Sequence, residues 1–282
     1  MSEPVLDLSV VIPAHNATAT LAHQLEALIE APVDLRIEIM VVDNNSTDGT
    51  ADLVAAYGRR DERVRLVPAT TGSGPSHARN VGIAAARCEL VACCDADDIV
   101  AAGWLVAMFA ALQTNTFVAG ALDVDRLNEA WVIEGRGRSI THGSMSFGGV
   151  TFPHGCNLGV HRAVFLEHRF DEALRAGEEI DLAIRMAAAG VECVYVPDAV
   201  VHYRYRTTLR ETWRQAFIGA RVRPHLERRL GRSGRPRILR RSGWLVVRSA
   251  MLRSRAGRIR WVWIAASVSG EIVGWIRDPV RT

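Results

Sequence analysis

The first third of the chain alternates short apolar runs with segments that have the spacing of an amphipathic helix. Apolar runs that predict strands lie at residues 8–13, 37–42, 64–67 and 90–94, and helical patterns lie between them at 18–31, 47–57 and 76–86. Such alternation predicts a mostly parallel sheet with helices on both faces. The sequence therefore favours an α/β fold that binds its ligand beyond the carboxyl ends of the strands.

The alternation weakens beyond about residue 120. A helix at 178–189 and a strand at 192–196 are still predicted. The Gly-rich stretch 139–161 is interpreted as a loop. Residues 99–122, interrupted by Gln113-Thr-Asn-Thr116, are interpreted as a helix, a turn and a strand rather than a membrane span.

Charge is divided unevenly along the 282 residues, and every basic residue is Arg. Residues 204–282 hold 20 Arg against 4 acidic residues, whereas residues 1–203 hold 14 Arg against 27 acidic residues. The absence of Lys excludes Schiff-base chemistry and the Walker A type of phosphate loop. The basic C-terminal region predicts an anionic partner, but charge alone does not choose between lipid, nucleic acid and another polyanion.

Five Cys occur without C-x-x-C spacing. An odd number without that spacing encodes neither a disulfide framework nor a zinc site. The opening residues, Met-Ser-Glu-Pro, lack the basic and apolar parts of a secretory signal. We therefore expect a reduced, cytoplasmic protein.

Polar segments follow three of the predicted strands: Pro13-Ala-His15-Asn16, Asp43-Asn-Asn-Ser46 and Asp95-Ala-Asp97-Asp98. We expect them to converge on one cleft, because parallel strands end at the same edge of a sheet. The carboxylates of the third segment would repel one another, and Mg²⁺ or Mn²⁺, which prefer oxygen ligands, would relieve that repulsion. An acidic turn that caps a helix is the alternative interpretation.

Asp43 ends the second predicted strand, where nucleotide-binding α/β folds often place an acid against a base or ribose. A Rossmann site also needs G-x-G-x-x-G after the first strand, and Pro13-Ala-His-Asn excludes it. Asp43 as a plain turn residue is the alternative. Gly72-Ser-Gly74 predicts flexible backbone.

Glu178, Glu179 and Asp181 open a predicted helix. The helix dipole favours acids in a first turn, and Asp181 can pair with Arg185, so helix stability alone explains them. A carboxylate held near a metal and an acceptor hydroxyl is instead a general base. His202 follows the last predicted strand. It is interpreted either as a metal or phosphate ligand or as a hydrogen-bonded surface residue.

Taken in order, these segments, together with Ala78-Arg-Asn-Val-Gly82 and Gly177-Glu-Glu-Ile-Asp-Leu182, resemble the family 2 glycosyltransferases over about residues 8–205. The resemblance implies the GT-A nucleotide-diphospho-sugar transferase fold with a mostly parallel central sheet. It also implies a metal-dependent, inverting enzyme of hexosyltransferase type that uses a nucleotide-diphosphate-sugar donor. We expect a catalytic domain at 1–207, with a nucleotide-binding half at about 1–122 and an acceptor half at about 123–207.

The resemblance further implies roles for single residues on the donor side. Pro13, His15 and Asn16 would line the nucleotide. Asp43 would accept a hydrogen bond from the base, and Arg79 would lie near the base or the diphosphate.

For the metal side, Asp95 and Asp97 look like the D-x-D pair of the family. Asp97 would bind Mg²⁺ or Mn²⁺ directly, and Asp95 would assist. His202 would lie near the metal and the diphosphate, and Asp98 would orient the acceptor or its neighbours.

Two features depart from the family pattern. Glu178-Glu179 stands where the family has Glu-Asp, so Glu179 is the expected general base and Glu178 the alternative. The Gln-x-x-Arg-Trp motif of processive members is absent, and the nearest text is Gly257-Arg-Ile-Arg-Trp261. We therefore expect single additions to a glycan, lipid-linked or small-molecule acceptor, in glycan or glycolipid biosynthesis.

Residues 208–282 predict a basic amphipathic helical tail in which Arg interleaves with Trp and Leu. That composition is typical of an interfacial helix on anionic lipid, here the inner face of the plasma membrane. Packing on the acidic body, or an oligomer contact, is one alternative. Nucleic-acid binding is another, although no specific nucleic acid is expected because no recognised module is visible.

Two other functions remain open at this stage. A sugar-nucleotide nucleotidyltransferase also places Asp and metal on a nucleotide-binding α/β fold, but the absence of Lys and of a Gly-rich Arg-Pro signature argues against it. A catalytically degenerate glycosyltransferase-like binding protein is the non-enzyme alternative, because Glu replaces Asp at 179.

Overall fold

The computed structural model describes residues 6–138, 140, 143–232 and 252–277. The strands are β1 Leu8–Ala14, β2 Ile37–Asp43, β3 Val64–Pro68, β4 Leu90–Cys94, β5 Ile99–Val100, β6 Phe117–Asp123, β7 Met145–Phe147, β8 Val150–Phe152, β9 Asn157–His161 and β10 Cys193–His202. The helices are α1 Leu21–Ile29, α2 Thr50–Arg60, α3 Pro75–Ala85, α4 Trp104–Leu112, α5 Ala130–Arg136, α6 Arg162–His168, α7 Glu178–Ala188, α8 Leu209–Arg229 and α9 Arg255–Ile276.

Eight strands form one mixed sheet in the order β3-β2-β1-β4-β9-β6-β10-β5. The neighbours β3, β2, β1 and β4 are parallel, as are β6 and β10. β9 is antiparallel to both β4 and β6, and β5 is antiparallel to β10. The predicted α/β fold with a mostly parallel sheet is confirmed. The one sheet includes strands from both expected halves of the catalytic domain.

The sheet carries an apolar core on each face, and β1 contributes to both. Leu8, Val10 and Ile12 pack with α1, α2 and α4 on one face, and Val11 packs with α3 and α7 on the other. This division follows from the two-residue period of a strand. All seven residues of β1 are buried, as expected for a central parallel strand.

The interpretation of 139–161 as a loop was wrong. Residues 145–152 form the β7–β8 hairpin, and β9 enters the main sheet between β4 and β6. Leu158 and Val160 of β9 are fully buried. Gly159 lies so close to Val118 that a methyl group would meet its side chain at 2.7 Å. The glycines that suggest a loop therefore serve, at this position, close strand packing.

The described part of the C-terminal region is helical and packs on itself and on the body. α8 and α9 are in extensive contact, and Gly270 and Gly274 of α9 lie directly against the α8 backbone at Phe217 and Arg221. α9 also packs on α5 where Gly135 meets Ile259. Within the described ranges, no helix is both long and apolar enough to cross a membrane. The part of the expected tail at 233–251 lies outside the described residues.

Candidate active site

A cavity of about 500 Å³ opens beyond the carboxyl ends of β1, β2 and β4. Residues from all three predicted polar segments line it, so their convergence is a feature of the fold. Its lining includes Pro13, His15, Asn16, Asn44, Gly74, Asp95, Asp97 and Arg206. Its position matches the place where α/β sheets bind ligands.

The segment after β1 is tied to the segment after β2 by short polar contacts. His15 Nδ1 lies 2.7 Å from the backbone oxygen of Asn44. Asn16 has a positive φ of 51°, and its side-chain oxygen accepts a hydrogen bond from the Thr47 backbone at 2.8 Å. The two segments therefore form one rigid wall, and the Asn16 side chain holds that wall together as well as lining the cavity.

Asn44 connects the same wall to the loop before α3. Its side-chain nitrogen donates to the backbone oxygens of Ala69 at 2.6 Å and Gly72 at 3.0 Å. Its side-chain oxygen accepts from the Gly74 backbone at 2.7 Å. Gly74 has a φ of 100° and precedes the first residue of α3. The expectation of flexible backbone at 72–74 was wrong, because Asn44 fixes this loop from within.

Arg79 links the D-x-D segment to the acidic first turn of α7. Its Nη2 donates to Asp95 Oδ1 at 2.6 Å, and its Nη1 lies 3.6 Å from Glu178 Oε1. The residue is 3% exposed, and its guanidinium lies 5.9 Å from the Phe170 ring centre. The nearby carboxylates outweigh the cost of burial and raise the pKa of Arg79. Arg79 thus carries a permanent buried positive charge between two acids.

Asp97 pairs with Arg206, a residue that the sequence interpretation did not select. Arg206 Nη1 lies 2.8 Å from Asp97 Oδ2, and both side chains line the cavity. Burial is the main cause that raises the pKa of Asp97, and the neighbouring Asp95 adds to it. The segment 202–206 runs along the acidic turn, since the Arg204 backbone donates to Asp98 Oδ1 at 2.8 Å.

Glu179 follows Glu178 in the first turn of α7. Its surface is partly accessible, yet the group lies deep among protein atoms, and this desolvation is the largest cause that raises its pKa. Repulsion from Glu178 acts in the same direction, whereas the Arg79 charge opposes it. Glu178 is buried and faces Arg79. The two adjacent acids therefore have different surroundings.

His202 ends β10 and pairs in the sheet with Ile99, two residues after Asp97. Its Nδ1 lies 2.7 Å from Asp123 Oδ2. A carboxylate on one ring nitrogen fixes the ring orientation and leaves Nε2 for another partner, as is common for metal-binding His. The structure thus brings His202 to the acidic turn.

Asp95, Asp98 and Cys156 offer ligand-type atoms within 4.8 Å of one another, which differs from the expected set of Asp95, Asp97 and His202. Asp98 and Cys156 are buried, and desolvation raises the pKa of both groups well above their usual values. Burial therefore favours the uncharged form of both groups. A hard cation fits the cavity-facing Asp95 and Asp97 better than this thiol-containing pocket.

Asp43 is not among the residues that line the cavity, unlike Pro13, His15 and Asn16. It ends β2 and accepts a hydrogen bond from the Ser46 backbone at 3.3 Å, whereas Asn44 and Asn45 are the residues of this segment that line the cavity. Asn44, Gly74 and Arg206 were missed. The position of Asn44 in a polar segment directly after a strand could have identified it. No sequence pattern around Gly74 or Arg206 indicates that either residue lines the cavity.

Comparisons with known proteins show to which family the chain belongs. The family described as "Glycosyl transferase family 2" matches residues 9–169. The chain is 34% identical over 225 residues to the succinoglycan biosynthesis protein ExoO of Rhizobium meliloti, which covers 72% of this chain and 62% of that protein. It is 30% identical over 233 residues to the pre-mycofactocin glycosyltransferase of Mycobacterium tuberculosis, covering 77% of this chain and 47% of the relative. The chain thus spans about half to three fifths of the length of these relatives.

Two solved structures share the fold. The mannosyltransferase PcManGT from Pyrobaculum calidifontis, in complex with GDP-Man and Mn²⁺, has a TM-score of 0.64 at 18% identity and covers 98% of this chain and 88% of its own. The glucosyl-3-phosphoglycerate synthase from Mycobacterium tuberculosis, in complex with Mn²⁺, UDP and glucosyl-3-phosphoglycerate, has a TM-score of 0.54 at 22% identity and covers 80% and 81%. The matched family model spans more than half of the chain, and the two solved structures share its fold. The chain belongs to glycosyltransferase family 2, with the GT-A fold and a helical C-terminal region.

Proposed function

We propose that this chain is an inverting, metal-dependent glycosyltransferase that moves a sugar from a nucleotide-diphosphate-sugar to an acceptor hydroxyl. One observation carries the proposal: Arg79 joins Asp95, which lines the cavity, to the Glu178–Glu179 pair at the start of α7. The cavity proposed for the donor, the two carboxylates proposed to bind a cation and the candidate base thus belong to one cluster. Family membership supports the reaction class.

The nucleotide would occupy the cavity between the β1 and β2 segments. Pro13, His15 and Asn16 line it, and Asp43, the proposed acceptor of a hydrogen bond from the base, ends β2 directly before the lining residue Asn44. The diphosphate would lie toward Gly74 and the first turn of α3, because the free N–H groups of a helix N-terminus favour anions. Arg79 adds a fixed positive charge behind Asp95.

Mg²⁺ or Mn²⁺ is the proposed cofactor, held by Asp97 with Asp95 and His202. The oxygen donors of the two acids fit a hard cation, and both acids line the cavity. Such an ion stabilises the negative charge that develops on a diphosphate leaving group. Solved structures of this fold that hold Mn²⁺ support the assignment.

Glu179 is the proposed general base. Its carboxylate would take the proton of the acceptor hydroxyl as that oxygen bonds to the anomeric carbon, while the bond from that carbon to the diphosphate breaks. A single displacement of this kind inverts the anomeric centre. A carboxyl group whose pKa is raised toward neutrality is a stronger base than an ordinary Glu.

Replacement of Glu179 by Gln tests this assignment. Since Gln keeps the size of the side chain but cannot take the proton, we expect Glu179→Gln to lower the transfer rate by about 10²–10⁴-fold. Donor binding should persist, measured as a thermal shift across a panel of nucleotide sugars with Mn²⁺. Transfer that survives in Glu179→Gln but is lost in Glu178→Gln would move the base to Glu178. A wild-type protein that binds no nucleotide sugar would refute the proposed function.

The acceptor is proposed to be a glycan, a lipid-linked saccharide or a small molecule in glycan or glycolipid biosynthesis. The name of the relative ExoO, a succinoglycan biosynthesis protein, supports this class. The proposed location is cytoplasmic. Exposed Arg210, Trp213 and Arg214 on α8 give the C-terminal region a surface suited to anionic lipid. Co-sedimentation with anionic but not neutral vesicles would support peripheral binding, and equal recovery in the supernatant would refute it.

A further inference from the structure

The two acids of the D-x-D pair each hold an arginine. Asp95 Oδ1 accepts from Arg79 at 2.6 Å, and Asp97 Oδ2 lies 2.8 Å from Arg206. Each carboxylate therefore has a counter-ion supplied by the chain itself. The two arginines differ in how firmly they are held.

Arg79 is fixed in place. Its side chain is 4% exposed, it also faces Glu178, and Gly155 packs against the guanidinium so closely that a methyl group there would meet it at 3.0 Å. It has no space to leave Asp95. Arg79 is a permanent part of the site.

Arg206 pairs with Asp97 at the guanidinium end of its side chain. Its side chain is 49% exposed and lines the cavity, and the residue lies in the short connection between β10 and α8. The guanidinium of Arg206 forms a hydrogen-bonded ion pair with Asp97. Because this pair is partly exposed to solvent, it contributes little free energy. The guanidinium can therefore exchange Asp97 for another anion within the cavity.

We propose that Arg206 is an exchangeable counter-ion: it neutralises Asp97 when no cation is bound, and binds the donor diphosphate when a cation takes Asp97. This inference rests on the proposed function, because it deepens the role of the same cavity. The planar fork of a guanidinium suits phosphate oxygens as well as carboxylates. Arg206 therefore has a partner in both states.

The proposal has a thermodynamic consequence. A cation alone must compete with Arg206 for Asp97, so Arg206 weakens metal binding to the free protein. A diphosphate gives the displaced guanidinium a new partner, so the two ligands favour one another. Such coupling is reciprocal, and each ligand must strengthen the binding of the other by the same factor.

Mn²⁺ titrations followed by electron paramagnetic resonance test this coupling. The probes are Mn²⁺ alone, and Mn²⁺ with saturating uridine diphosphate or guanosine diphosphate. For Arg206→Gln we expect the Kd for Mn²⁺ alone to fall by about two- to fivefold, the effect of losing a partly exposed competing ion pair. The factor by which the diphosphate tightens Mn²⁺ binding should shrink by about tenfold or more, as for a lost charged hydrogen bond.

Arg210→Gln is the matched control, because it removes one exposed charge from the first turn of α8. It should leave both Mn²⁺ constants at the wild-type values. Arg206→Lys keeps the charge and should restore part of the coupling. Unchanged or weaker Mn²⁺ binding in Arg206→Gln, with wild-type coupling intact, would overturn the role of Arg206 and leave the proposed function standing. A wild-type protein that binds neither Mn²⁺ nor a diphosphate would overturn both.

Discussion

Glu178 and Glu179 show how one helical turn can give neighbouring acids different chemistry. Glu178 lies 3.6 Å from the Arg79 guanidinium, an attractive contact. Glu179 is desolvated and is repelled by the charge of Glu178, and both effects raise its pKa. The sequence predicted two acids in a first turn, and its resemblance to the family favoured Glu179 as the base with Glu178 as the alternative. It could not predict their different surroundings, because these depend on Arg79, about a hundred residues earlier in the chain.

The pH dependence of transfer should report this difference. Since the base must be deprotonated, kcat/KM should rise as pH increases through the raised pKa of Glu179, above the range of an ordinary Glu. Glu178→Gln removes the repelling charge, so the pKa of Glu179 falls and the acid limb of the profile moves to lower pH. An acid limb that stays in place would show that Glu178 does not act on Glu179.

The raised pKa of Glu179 also affects the free energy of unfolding. Because folding favours the protonated form, the contribution of Glu179 to stability is lost as pH rises through its raised pKa.

At the level of elements, the donor wall depends on a loop that is fixed from inside. Asn44 is 5% exposed and bonds to three backbone groups of the segment 69–74 that leads into α3. The strands and helices up to β4 could be predicted, because their apolar periods are regular. The fixed loop could not, since Gly72-Ser-Gly74 encodes turn chemistry and its partner, Asn44, comes from the segment after β2.

Asn44→Ala should therefore affect both stability and donor binding. The substitution leaves three backbone groups without their partner, at an expected cost of about 1–3 kcal/mol in the free energy of unfolding. It should also weaken nucleotide binding, because Gly74 is no longer positioned at the cavity. Asn45→Gly is the control for stability: Asn45 is exposed, donates one bond to Gly72 and has a φ of 60° that Gly tolerates, so a loss below about 1 kcal/mol is expected. Equal losses in the two variants, measured by urea unfolding, would contradict the argument.

At the scale of the whole molecule, the basic C-terminal region folds back on the acidic body in its described part. Arg206 reaches Asp97, and Arg229 lies 3.4 Å from the fully buried Asp181. Arg136 of α5 lies between the Tyr205 and Trp263 rings, at 4.8 and 3.9 Å from their centres. Charge counting predicted an anionic partner. It could not show that part of this partner is the chain itself, because that depends on how α8 and α9 dock.

This docking makes α9 part of the folded unit, which a pair of glycine substitutions can test. A methyl group on Gly274 would overlap the α8 backbone at Arg221, whereas a methyl group on Gly219 would have no atom of the described residues within 4 Å. Gly219→Ala should therefore stabilise the protein by about 0.5–1 kcal/mol through helix propensity alone. Gly274→Ala gains the same propensity but must separate two helices, and overpacking of this kind costs about 1–3 kcal/mol. If α9 belongs to the same cooperative unit as the sheet, Gly274→Ala lowers the single calorimetric Tm of the whole protein by a few degrees. A sheet transition that keeps the wild-type Tm, with a separate early transition for the helices, would show instead that the C-terminal region folds by itself.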